Sequence, residues 1–191
     1  MKAFRITIGT ATLALLAVAL TATAARAGDF VLASPDVADQ RTVAEAFVYN
    51  GYGCGGGNLS PALQWRGAPA ATRSFAVTVF DPDAPTGSGW WHWVLYNVPA
   101  SVDRLPRGAG DPARQLLPFG AVEGRSDFGT LGYGGPCPPK GSRAHHFVFT
   151  VYALDVDALP VHNGASGAMV GFAVHEHKLA EAKLTTIYGR Y

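Results

Sequence analysis

Dense apolar runs, cut short by Pro, Gly and Asp, make up most of the chain after residue 27. Phe75–Phe80, His92–Val98 and Phe147–Leu154 are apolar at nearly every position. Runs of this length between turn formers predict strands, and the lack of polar alternation predicts strands covered on both faces. Phe30–Leu32 and Ala62–Trp65 read as two further short strands. Pro61, Pro69, Pro85, Pro99 and Pro160 punctuate the series. Asp29–Asn50 is ambiguous, with Thr42–Phe47 either a strand or one helical turn. Helical spacing is confined to the C-terminal part. There Asn163 or Ser166 is a candidate cap, and Leu179, Ala180, Ala182 and Leu184 predict a helix over Val174–Tyr188 that ends at Gly189. Helices do not alternate with strands, so a parallel βαβ sheet is not expected. The pattern predicts a mainly β, antiparallel architecture with a helix or two at the end.

The first 27 residues stand outside that pattern. Lys2 and Arg5 precede an apolar Ile6–Leu20 stretch, and Ala25-Arg26-Ala27 is an A-x-A site of the kind cut after an export signal. The apolar stretch is shorter than the ~20 residues that span a bilayer, and nothing later is longer. The expectation is a cleavable signal peptide over 1–27 and one domain over 28–191, exported to the periplasm or secreted, without a membrane span. Lys2, Arg5 and Arg26 leave with the leader and no acid does, so formal charge falls from +1 to −2. That balance offers no basic footprint for nucleic acid. Two cysteines remain, Cys54 and Cys137, both in glycine-rich turns. In an oxidising compartment they are most simply one disulfide, clamping the Gly51–Gly57 turn beside the Gly132–Pro139 turn.

Two segments concentrate chemistry. Asp81-Pro82-Asp83-Ala84-Pro85 is a stiff turn after an apolar run, and His92 heads the next run among Trp90, Trp91 and Trp93. An Asp before Pro often caps its own turn, so one carboxylate is expected to cap and the other to face a pocket. His92 is expected to return beside Asp81 and to be held as an imidazolium by it. Further on, Gly132–Gly135 has the backbone freedom to aim N–H groups at an anion, and His145 opens another run. His146 falls on the opposite face of that strand. If the turns meet, they form a small pocket suited to a phosphate-bearing ligand.

Other motifs lose their force in context. Gly51-Tyr52-Gly53-Cys54-Gly55-Gly56 matches a dinucleotide fingerprint, but Asn-Leu-Ser-Pro follows where a helix is required. Gly164–Ala168 lacks the final glycine of a nucleophile elbow. His175 and His177 are not at the i, i+4 spacing of helical metal ligands.

Taken in order, Asp-Pro-Asp-Ala-Pro, Trp91-His92-Trp93 with the following Val-Leu-Tyr-Asn-Val-Pro, Asp127-Phe128-Gly129, Gly132–Pro139, His145 and Val151–Asp155 resemble the phosphatidylethanolamine-binding protein family, in its bacterial Raf-kinase-inhibitor-like branch. The resemblance runs from Asn58 to Ala182. It implies a large central antiparallel sheet, a smaller second sheet and a C-terminal helix near an anion pocket for phosphate or a phospholipid headgroup. By position, Asp81, Asp83, Pro85, His92, Gly135, Pro136 and His145 match that family's pocket residues. Where many relatives have His-Arg-Tyr, this chain has His145-His146-Phe147, and Ser126 stands where Asn often precedes Asp127.

The expectation is binding without turnover, with no cofactor. An imidazolium and glycine N–H groups would hold phosphate, an Asp would orient one imidazole, and aromatic faces would meet an ammonium. Two alternatives stand beside it: a His/Asp metal-dependent enzyme, and a secreted interaction module, such as a protease inhibitor, with a protein partner.

Overall fold

The computed structural model describes residues 29–191, and the signal peptide expected over 1–27 lies outside them. In chain order the strands are β1 (Val31–Ala33), β2 (Leu63–Arg66), β3 (Ser74–Asp81), β4 (Trp90–Pro99), β5 (Arg104–Leu105), β6 (Val122–Glu123), β7 (His145–Leu154) and β8 (Lys178–Tyr188), with helix α1 (Gly167–His177) between the last two. They form a three-stranded sheet ordered β1-β2-β5 and a five-stranded sheet ordered β6-β4-β3-β7-β8, and every pairing is antiparallel. The mainly β architecture expected from the apolar runs is the one observed.

Burial on both faces explains those runs. In β3, Phe75, Val77 and Val79 face one apolar cluster, shared with Leu63, Trp65 and Leu105 of the small sheet. Ala76, between them, faces a second cluster with Val94, Val170 and Val174, under α1. The central sheet is thus the middle of three layers. Fully buried side chains such as Trp93, Phe147 and Phe149 each contribute about 1.5–3 kcal/mol of transfer free energy.

The C-terminal region departs from its sequence pattern. Ser166, not Asn163, caps α1, its hydroxyl accepting from the Met169 N–H. The helix then ends at His177, and Lys178–Tyr188, expected to be helical, is a strand. Ala182, Leu184 and Thr186 are buried at every second position, a period-two signal among residues that otherwise favour helix. The open edge of β7 decides the matter: β8 pairs with it from His145↔Tyr188 to Leu154↔Lys178, and pairing overrides local propensity. The ambiguous N-terminal stretch holds a bridge from Thr42 to Ile187 and a single 3-10 turn at Glu45–Phe47.

Cys54 and Cys137 form a disulfide. Arg190 reinforces it by donating to the carbonyls of Gly53 (2.7 Å) and Pro138 (3.3 Å), one on each of the joined turns. The bridge spans 83 residues, for which loop-closure entropy gives about 4–5 kcal/mol of stabilisation. Replacing both cysteines by serine should lower unfolding free energy by that order in urea titrations. An unchanged midpoint would mean the hydrogen bonds alone hold the turns.

Candidate functional site

Antiparallel register brings three strand ends together. Asp81 closes β3, His92 lies near the start of β4, and His145 starts β7; Asp81 pairs with Trp90, and Phe80 with Val148. Asp81, His92 and His145 line one cavity of about 210 Å³, with Pro85, Tyr52, Trp90, Phe128 and the Cys137–Pro139 turn as its walls. All three polar residues are at least 97 % buried.

The partners differ from those expected. Asp81 binds His145 rather than His92: His145 Nδ1 lies 2.7 Å from Asp81 Oδ2. The other carboxylate oxygen accepts the Asp83 N–H at 2.8 Å, so Asp81 both caps its turn and faces the pocket. Asp83 does neither. Its carboxylate takes Arg143 (2.7 Å) and the side chain and N–H of His146 (2.6 and 2.9 Å), tying the turn to the head of β7. Burial pushes the Asp83 carboxyl up, but those hydrogen bonds and the Arg143 charge outweigh it and hold the group below its ordinary range.

His92 turns its Nδ1 to two carbonyls, Gly134 at 2.7 Å and Gly135 at 3.1 Å. Carbonyl oxygens only accept, so Nδ1 carries the proton. Burial is the larger influence on the ring; it outweighs those hydrogen bonds and the Asp81 charge and pushes the pKa down to about 4. His92 is therefore neutral at pH 7, contrary to the imidazolium expected, because burial costs the charged ring more than its hydrogen bonds and the nearby Asp81 charge return. Phe128 and Phe147 meet its ring edge-on, at 5.3 and 5.0 Å.

Nor does the glycine turn present the expected row of free N–H groups. Tyr133 N–H donates to Gly110 O, Gly134 N–H to His92 O, and Gly135 N–H to Asn58 Oδ1. Here the glycines permit close approach. A Cβ on Gly135 would sit 2.1 Å from the Phe47 carbonyl, and one on Gly134 would strike the Phe128 ring. Gly135 and Pro136 thus support the site from behind: the first orients His92, and the second accepts the Tyr49 N–H.

Tyr52 and Phe128 are wall residues that the sequence reading did not assign to the pocket. Phe128 stacks on Tyr49 at 4.1 Å and packs near Tyr52, Trp90 and His92. Its place after Asp127, whose carboxylate accepts the Trp91 N–H at 2.7 Å, was the available signal. Among the described residues no group of three or more His, Cys, Asp or Glu gathers as a metal site, and no helix is long and apolar enough to cross a membrane.

A small, deep, aromatic-walled cavity at the rim of a two-sheet fold defines a ligand-binding class of protein. Comparison assigns the family. The profile described as "Phosphatidylethanolamine-binding protein" matches residues 33–189, and the chain belongs to that family. The Escherichia coli protein YbcL is 49% identical over 164 residues, covering 86% of this chain and 90% of the relative. E. coli YbhB is 50% identical over 157 residues, 82% and 98% of the two chains. The crystal structure of E. coli YbcL superposes with a TM-score of 0.84 over 86% of this chain and all of that one, at 48% identity. The homologue CT736 from Chlamydia trachomatis gives 0.70 over 85% and 98%, at 30% identity.

The buried neutral His92 makes stability depend on pH. Its folded pKa of about 4 lies below the ordinary 6.5, so between those values the unfolded chain binds more protons, and stability falls as pH falls through that window. The full difference is about 3 kcal/mol, at ~1.4 kcal/mol per pH unit. Glu123, pushed up to about 7 by burial, acts in the opposite sense, so the comparison must be with a variant. Urea titrations at pH 7 and pH 4.5 should show His92→Gln losing clearly less stability on acidification than the native chain. Equal losses would refute the assignment.

Proposed function

We propose that this is an exported protein that binds a phosphate-bearing small molecule or phospholipid headgroup in the Asp81–His92–His145 cavity, without turning it over. The observation that carries this reading is the Asp81–His145 pair buried at the floor of an aromatic-walled cavity. A protonated His145, its charge balanced by Asp81, donates Nε2–H to a phosphate oxygen, and charge-assisted bonds of that kind are the strong ones. The faces of Tyr52, Trp90 and Phe128 suit an ammonium, worth ~0.5–2 kcal/mol where water is excluded. Neither histidine is placed as a general base beside a nucleophilic side chain, which favours binding over chemistry. The family's description, a phosphatidylethanolamine-binding protein, points the same way. Export rests on the leader-like pattern of residues 1–27 and on a disulfide that suits an oxidising compartment.

Calorimetric titration with O-phosphoethanolamine should show saturable binding that His145→Ala abolishes; heats that do not saturate, or an unaffected variant, would count against the pocket. Expressed with its own leader, the protein should fractionate outside the cytoplasm with Gly28 as its first residue. N-terminal sequencing that finds residue 1 or 2 would remove the export reading.

A further inference from the structure

The hydrogen-bond roles of the pocket groups narrow the phosphate chemistry that fits them; this step rests on the anion-pocket reading. Both histidines have spent Nδ1, His92 on the carbonyls of Gly134 and Gly135 and His145 on Asp81. Each ring has only Nε2 left for a ligand, and both rings line the same cavity. The two nitrogens are not equivalent. With Nδ1 on Asp81, His145 Nε2 is a donor only in the doubly protonated ring, the form whose charge Asp81 faces. His92 carries its proton on Nδ1 and has no carboxylate bonded to it, so its Nε2 is a bare lone pair that can only accept.

Other donors on the wall are few. The Thr86 hydroxyl is committed to the Gly89 carbonyl at 2.5 Å. The amides of Tyr133, Gly134 and Gly135 are spent inside the fold. Trp90 lines the same wall, but its indole N–H is buried away from the cavity surface. The cavity thus offers a donor at a protonated His145 and an obligate acceptor at His92.

The geometry points to a singly protonated phosphomonoester, or phosphate itself, as the preferred head group: its P–OH donates to His92 Nε2 while another of its oxygens accepts from His145. A phosphodiester, which is the state of phosphate in an intact phospholipid, has no P–OH. It would leave the His92 lone pair facing an oxygen that is itself an acceptor. A site built to bond a hydroxyl rejects the analogue lacking it, because its own buried polar group is then left unpaired. The low pKa of His92 keeps the ring neutral, and its bonds to the Gly134 and Gly135 carbonyls fix the tautomer.

Methyl phosphate and dimethyl phosphate test this at pH 5.5, where both carry about one negative charge, since a phosphomonoester loses its second proton near pH ~6. Calorimetry on the disulfide-intact protein should give at least ~10-fold tighter binding of the monoester, the consequence of one unpaired buried group. The His92 imidazole nitrogens, observed by NMR in the unaltered protein, should report an Nδ1–H tautomer whose Nε2 resonance moves with the monoester and not with the diester. In His92→Phe, which keeps an aromatic ring but removes the acceptor, the preference should collapse. Equal affinities for the two compounds, or an Nε2–H tautomer, would overturn the inference while leaving an anion pocket in place. Binding of neither compound would overturn the anion-pocket reading, and this inference with it.

Discussion

The pocket depends on strand β3 being paired along both edges. Its hydrogen bonds to β4 and β7 run from Ser74 to the turn at Asp81, and the apolar clusters on its two faces leave no room for slippage. A one-residue shift of register would send Val77 and Val79 to the face now held by Ala76. Because that register is pinned, the ends of three strands fall together at one rim, where the apolar cover gives way to turns. Asp81, His92 and His145 meet there by construction of the sheet. His145 stands 64 residues from Asp81, and none of the three moves without disturbing a core strand.

Around that rim each polar group has defined partners. Asp81 takes His145, Asp83 takes Arg143 and His146, and the carbonyls of Gly134 and Gly135 take His92. A buried polar group without a partner costs about 1–3 kcal/mol, so each assignment constrains the others. Asp81 is bonded to His145 and not to His92, and burial keeps His92 neutral against the nearby carboxylate charges. The turns that supply these partners are themselves held by the Cys54–Cys137 bridge and by Arg190 from the end of the chain. Fold stability and pocket chemistry are therefore one network. Membership of the phosphatidylethanolamine-binding protein family describes its frame, and the hydrogen-bond roles of the two histidines describe what the frame presents.

The departure at Phe147 illustrates the division of labour. Its ring is fully buried against the edge of His92. That contact is part of the apolar setting that depresses the pKa of the imidazole.

Much of this was written in the chain itself. Runs such as Phe75–Phe80 and Phe147–Leu154 are legible because burial on both faces requires apolar residues at both parities, and no other element of that length requires the same. The cysteine pair and the candidates Asp81, Pro85, His92 and His145 were legible for a similar reason: rare residue types stand beside rigid turns. Tertiary structure alone decided the rest. Lys178–Tyr188 carries helix formers and becomes a strand because β7 has an open edge. Asp81 chooses His145 over the nearer His92 because register, not sequence distance, sets their approach. Gly132–Gly135 has the freedom to cradle an anion, yet its N–H groups go to His92, Asn58 and Gly110, the second of them 77 residues away from Gly135. Composition and pattern determine which groups must be buried or turned. Which partner satisfies a given donor is settled only when distant segments are brought within 3 Å of one another, and that distance is not a property of the sequence at either end.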